Sequence, residues 1–133
     1  MKLSGNLIVN ILLALVLLGM IGYEVYGYFN RKRAAVELSE EDFKKDMRKV
    51  QVIDVREKAE FDAGHILGAR NIPYSAFKTR MVEIRKDIPV YLYDQKKAMS
   101  GRAAVRLKKA GYTEIYRLKN GYQGWTGKVK KKS

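Results

Sequence analysis

The sequence predicts an α/β fold: an open five-stranded parallel sheet flanked by helices and preceded by one N-terminal transmembrane helix. Three observations carry this reading. From Leu3 to Tyr23 no residue is charged, and Leu7 to Gly22 is nearly all Leu, Ile, Val, Ala, Gly and Met. Beyond residue 30, five short apolar runs alternate with segments of helical spacing, the pattern of parallel strands joined by crossover helices. With 47% hydrophobic residues but only 11 Gly and 2 Pro, the chain is neither disordered nor collagen-like.

The apolar run comes first. As a helix it is ~31 Å long, which matches a hydrocarbon core of ~30 Å. A cleaved leader is the competing reading, but bulky Tyr23, Tyr26 and Tyr28 stand where a cleavage site needs small residues. The run therefore reads as an anchor. Lys2 precedes it and Arg31, Lys32 and Arg33 follow it, so the C-terminal part is expected in the cytoplasm. Tyr23, Tyr26, Tyr28 and Phe29 supply an aromatic belt at that end, while Asn6 and Asn10 are tolerated near the other. The expected organisation is an anchor over 1–30, a domain over 31–127 and a Lys-rich tail over 128–133.

The domain's elements follow in order. Ala35–Leu38 reads as a weak strand, and Ser39 caps a helix whose first turn holds Glu40, Glu41 and Asp42. Val50–Val55 is a clear strand, and a short helix runs from Lys58 to Ala63. Ala69–Ile72 is a short strand ended by Pro73, and Ser75 opens a helical stretch through Phe77, Met81 and Ile84. Val90–Tyr93 is the most apolar strand. A helix over Ser100–Ala110 puts Ala103, Ala104, Leu107 and Ala110 on one face, with Gly111 as its stop. Ile115–Leu118 is the fifth strand, before a turn or helix over Gly121–Trp125. Sites in such sheets lie at the carboxyl ends of strands, which directs attention to the loops after Val55 and Tyr93.

Charge and composition narrow the chemistry. There are 27 basic and 14 acidic residues, a net charge of +13. Lys2 and Glu24 are the charged residues of the first 30, so the excess belongs to the domain and its tail. An anionic lipid surface or an acidic protein is the expected partner; no nucleic acid is expected, because interleaved exposed aromatics and a known binding motif are missing. The chain has no cysteine, which excludes disulfides, thiolate metal sites and every thiol nucleophile of its own. One histidine, His65, cannot share a ligand set with a second imidazole, and neither metal nor cofactor is expected.

Two separated motifs carry a family resemblance. Val52-Ile53-Asp54-Val55-Arg56-Glu57, then Glu60-Phe61, then the run from Gly64 to Pro73 resemble the first signature of rhodanese-like domains. Val90–Tyr93, a short loop, Ser100-Gly101-Arg102-Ala103-Ala104, Lys109–Tyr112, and Leu118 with Asn120, Gly121, Tyr122 and Trp125 resemble the second half. The likeness runs from about Val36 to Trp125. It implies a rhodanese-like five-stranded parallel sheet and the family's sulfurtransferase chemistry.

One position departs from the pattern. In the family the residue after the strand ending at Tyr93 is a cysteine that carries sulfur as a persulfide, within a loop whose N–H groups curl around it. Here the loop reads Asp94-Gln95-Lys96-Lys97-Ala98-Met99. Family loops carry a glycine near the middle and often an arginine at the end, where this chain has Lys97 and Met99. Sulfur transfer needs a soft thiolate, and a carboxylate forms no stable persulfide. The loop's N–H groups are instead expected to hold Asp94 ionised, so that the site is filled by its own side chain.

Each remaining motif residue has a quieter reading. Asp54 and Arg56 are expected to tie the strand end to neighbouring loops, with Arg56 also able to face an anion at the pocket mouth. His65 is expected as a packed, hydrogen-bonded side chain, and Tyr122 and Trp125 as core or loop-covering residues. Arg102 belongs to the family motif. Lys96 and Lys97 either bind something acidic or form a solvated loop tip. The expected function is a membrane-anchored, catalytically degenerate rhodanese-like module that binds or regulates at the cytoplasmic membrane face. Two alternatives stay open: a thiosulfate sulfurtransferase-like enzyme with altered chemistry, and a basic module that binds anionic lipid.

Overall fold

The computed structural model describes residues 4–132. Lys2 and Leu3, at the outer end of the expected span, and Ser133, at the end of the expected tail, lie outside the described residues. Internal contacts divide the chain into Met1–Asn30 and Arg31–Ser133.

Helix α1 runs from Gly5 to Ala34, 30 residues in all. The Leu7 N–H donates to Ser4 Oγ at 3.1 Å, capping its start. Arg31, Lys32 and Arg33 fall in its last turn, where positive charge complements the helix dipole. Leu12, Leu15, Leu18 and Ile21 are exposed along it. Among the described residues this is the one helix long and apolar enough to cross a membrane.

The second unit is built on five strands: β1 (Val36–Leu38), β2 (Gln51–Asp54), β4 (Arg70–Asn71), β5 (Val90–Tyr93) and β6 (Ile115–Leu118). They lie in the order β1-β6-β5-β2-β4, and every neighbouring pair is parallel. Successive side chains on a strand point to opposite faces, so two cores form. Ile53 and Leu92 enter one, with Ile72, Phe77, Ala103 and Leu107. Val52, Tyr91 and Tyr93 enter the other, with Phe43, Ile66 and Leu118. Helices α4 (Phe77–Arg80) and α5 (Ala98–Lys109) thereby cover the first face. Helix α2 (Glu40–Lys45) and a 3₁₀ turn at Tyr122–Gly124 cover the second.

Local signals act where the sequence places them. Ser39 Oγ accepts the Asp42 N–H at 3.2 Å, capping α2. Gly111 sits at φ +96°, with Tyr112 N–H donating to Leu107 O and Gly111 N–H to Lys108 O. That is a Schellman stop, and it ends α5. Helix α3 occupies Lys58–Ala63.

Two expectations need correction. The stretch from Ser75 to Ile84 is not one helix: 3₁₀ turns at Tyr74–Ala76 and Met81–Glu83 flank the four residues of α4. The Met81 carbonyl accepts the Ile84 N–H at 3.0 Å in a 3₁₀ turn, and the Tyr112 hydroxyl, 2.6 Å from Ile84 O, serves the carbonyl at the end of the stretch. Nor is the segment from Lys128 a free tail. Strand β7 (Val129–Lys130) pairs antiparallel with β3 (His65–Ile66), and the Lys132 N–H donates to Asp62 O at 3.0 Å.

Candidate functional site

Strands β2 and β5 end side by side, Asp54 opposite Tyr93. Their carboxyl ends carry the two loops singled out in the sequence. Asp54 is fully buried, a costly place for a lone carboxylate. It is matched by Arg56, whose Nε lies 3.1 Å from both carboxylate oxygens and whose Nη2 donates to Oδ2 at 2.8 Å. The Arg56 N–H adds a bond to Oδ1 at 2.8 Å. Nη2 also reaches Gly64 O at 2.6 Å, Nη1 reaches Gln95 Oε1 at 3.3 Å, and the guanidinium lies over the Tyr122 ring at 4.2 Å. Arg56 is thus engaged on several sides by the protein itself. Asn71 completes the corner, its Nδ2 donating to Asp54 O and Arg56 O.

The loop after β5 is held from outside. Tyr122 N–H donates to Asp94 O at 2.8 Å and Gln123 N–H to Gln95 O at 3.1 Å. The Arg117 Nη1 donates to Lys97 O at 3.0 Å while its Nη2 pairs with Glu37 at 2.8 Å. Gly121 takes φ +64°, and a Cβ there would run into the carbonyls of Gln95 and Lys96. Only glycine lets these segments meet so closely. Lys97 has φ −161°, outside the left-handed region that favours glycine, and no non-glycine residue among those described has a positive φ. No positive φ at 97 therefore calls for a glycine.

Asp94 lies at the head of this loop and is only 5% exposed. Its Oδ2 accepts the Met99 N–H at 2.9 Å, at the first turn of α5; its Oδ1 is buried without a hydrogen-bond partner. Burial pushes its carboxyl above the ordinary carboxylate value, and the Met99 N–H together with the Ser100 hydroxyl and N–H offsets only part of that rise. The loop's donors thus favour the ionised form, as expected of them, while burial opposes it. The side chain does fill the head of the loop, but desolvation outweighs the hydrogen bonding it receives.

Beside it is a cavity of about 350 Å³, lined by Arg56, Glu57, Glu60, Tyr74, Asp94 and Met99 among others. The structure thus brings Asp54, Arg56, Asp94, Gln95 and Met99 together. Lys96, Lys97 and Ala98 are exposed on the loop, and Arg102 is exposed on α5. His65 lies apart from the cavity: its ring stacks on Phe61 at 3.7 Å, and its Nδ1 sits 2.8 Å from Phe61 O, so that nitrogen carries a proton. Tyr93 is a participant that sequence reasoning missed. Its hydroxyl accepts the Ile66 N–H at 3.1 Å, and burial raises its pKa further beyond the ordinary tyrosine value. A strand-end tyrosine beside the loop was the available signal.

A doubly capped parallel sheet with a loop of this kind at its carboxyl edge defines a rhodanese-type domain. Residues 39–128 match the Rhodanese-like domain family, and the chain belongs to it. YqhL of Bacillus subtilis (strain 168) is 53% identical over 123 residues, covering 92% of this chain and 98% of that protein. A sulfurtransferase of Allochromatium vinosum is 34% identical over 80 residues, covering 60% and 75%. YibN of Escherichia coli (strain K12) is 37% identical over 79 residues, and the match spans 57% of this chain and 55% of YibN. In fold, the rhodanese-like domain protein of Staphylococcus aureus aligns with a TM-score of 0.67 at 20% identity, over 74% of this chain and 99% of that one.

Proposed function

We infer that this chain is a single-pass membrane protein whose rhodanese-like domain is catalytically degenerate and acts as a binding or regulatory module at the cytoplasmic membrane face. The observation that carries this is Asp94, a buried carboxylate at the head of the loop where the family resemblance puts the sulfur-carrying thiol, in a chain with no cysteine. No atom of the chain can accept sulfane sulfur as a stable persulfide. The length of α1 supports the anchor, and Arg31, Lys32 and Arg33 support a cytoplasmic domain. An acidic protein or an anionic leaflet is the partner that the excess of positive charge favours.

The test is sulfur transfer from thiosulfate to cyanide by the full chain in neutral nanodiscs, with free thiols excluded. No turnover above the uncatalysed rate is expected; clear turnover would overturn the reading. A second reading rests on the cavity beside Asp94, which leaves room for a small external thiol to carry the sulfur. Turnover that appears only on adding such a thiol, and disappears when the cavity is filled by Ser75→Trp, would establish it.

A further inference from the structure

A second concavity, larger than the cavity beside Asp94, lies elsewhere. A groove of about 700 Å³ is lined by residues that the Asp94 cavity does not share. Its apolar wall is made by Met47, Val52, Leu67 and Trp125. Leu67 is 45% exposed and so accessible from the groove. The charged side chains that line the groove are Lys44, Arg48 and Lys128, and no carboxylate lines it. Glu40, 3.8 Å from Lys44, is already taken by the Thr126 N–H and hydroxyl.

The wall is held in place. The Lys44 Nζ lies 5.2 Å over the Trp125 ring, and the indole N–H donates to Lys128 O at 3.2 Å. A Cβ at Gly127 would stand 2.6 Å from Trp125 Cζ2 and 2.9 Å from Lys44 Cε, so glycine there lets the indole and the ammonium close on the chain. The volume falls in the range of small-molecule sites, which run from ~300 to ~1,000 Å³. An apolar wall under a purely cationic rim is complementary to one kind of molecule.

We propose that this groove binds a single-chain amphiphilic anion, a fatty-acyl carboxylate, with its tail against Trp125 and Leu67 and its head among Lys44, Arg48 and Lys128. The site is separate from the Asp94 loop and does not depend on whether that loop is inactive. A flat leaflet would engage exposed lysines generally, whereas this groove sets an apolar wall beside three cations.

Trp125 is the sole tryptophan of the chain and reports the site directly. The probe is a terminally brominated undecanoate, added to the full chain in neutral phosphatidylcholine nanodiscs, with quenching of Trp125 fluorescence as the readout. Saturable quenching is expected, with the uncharged brominated undecanol at least about tenfold weaker. Arg48→Gln and Lys128→Gln should each weaken binding about two- to fivefold, the range for exposed charges. Leu67→Glu, at an exposed position that leaves Trp125 in place, should abolish saturation. Equal quenching by acid and alcohol would show partition into the bilayer only and overturn the proposal. So would displacement of the acid by a hydrophilic acidic peptide with no acyl chain, which would assign the groove to a protein partner.

Discussion

Asp94 Oδ2 accepts the Met99 N–H at 2.9 Å, while its Oδ1 stays buried without a hydrogen-bond partner. An acid whose folded pKa is raised binds more protons folded than unfolded. Its destabilising effect is absent below its unfolded pKa, grows as pH rises toward the folded pKa, and is full above it. Asp94→Asn keeps an acceptor for Met99 and removes the charge. It should raise the thermal midpoint at neutral pH, with the advantage shrinking toward acid. A midpoint unchanged at pH 7 would contradict the burial argument.

Asp94→Cys should accept sulfur. The new thiolate attacks the outer sulfur of thiosulfate, the S–S bond of thiosulfate breaks, and sulfite leaves with its electron pair. Intact-mass measurement should show one added sulfur on the variant and none on the parent. Adding Lys97→Gly should give no further gain, since Lys97 does not hold the positive φ that glycine favours. A persulfide that forms only in the double variant would mean that the loop needs a conformation it does not hold now.

Arg56 matches a fully buried carboxylate, so its loss strands that charge. Arg56→Ala should cost ~3–5 kcal/mol in chemical denaturation. Adding Asp54→Asn should recover part of the loss, because the stranded charge is then gone. Additive losses in the double variant would show that the two side chains act independently.

Removing residues 128–133 should cost ~1–3 kcal/mol, because β7, the Lys132 N–H bond to Asp62 O and the Lys128 carbonyl that receives Trp125 all go with it. Lys130→Gln with Lys131→Gln removes charge and keeps the backbone, and should leave stability nearly unchanged. Denaturation midpoints of the two variants decide. If they coincide with that of the parent, the pairing contributes nothing.

A reporter fused after Ser133 should behave as cytoplasmic. Replacing Arg31, Lys32 and Arg33 together by Gln should weaken that preference. A reporter signal from the outer side in the unaltered chain would reverse the proposed orientation.

The sheet was legible because its strands alternate between two cores or are apolar throughout: Val52 and Ile53 point opposite ways, and Val90–Tyr93 is buried at every position. Strands β3 and β7 were not legible. Each has two residues, too few for a period, and β7 contains a lysine. The place of Asp94 was legible from the motifs around it, but its missing second partner was not, since that depends on the path of the loop before Met99. The helical stretch after Ser75 was legible, but its division into two 3₁₀ turns around the four residues of α4 was not. The groove at Trp125 left no motif at all: its walls come from α2, β2, the turn after β3 and the chain's last segment.

The order of strands also sets an order in time. Strand β1 has one neighbour in the sheet, β6, with Val36 opposite Tyr116. At ~5–20 residues per second the ribosome delivers that neighbour only on the order of ten seconds after β1 itself. Until then Val36–Leu38, just past the basic end of α1, waits as an unclaimed edge, while β2 and β5 are already able to pair. The stretch beside the basic end of α1 therefore cannot join the sheet until β6 has been made.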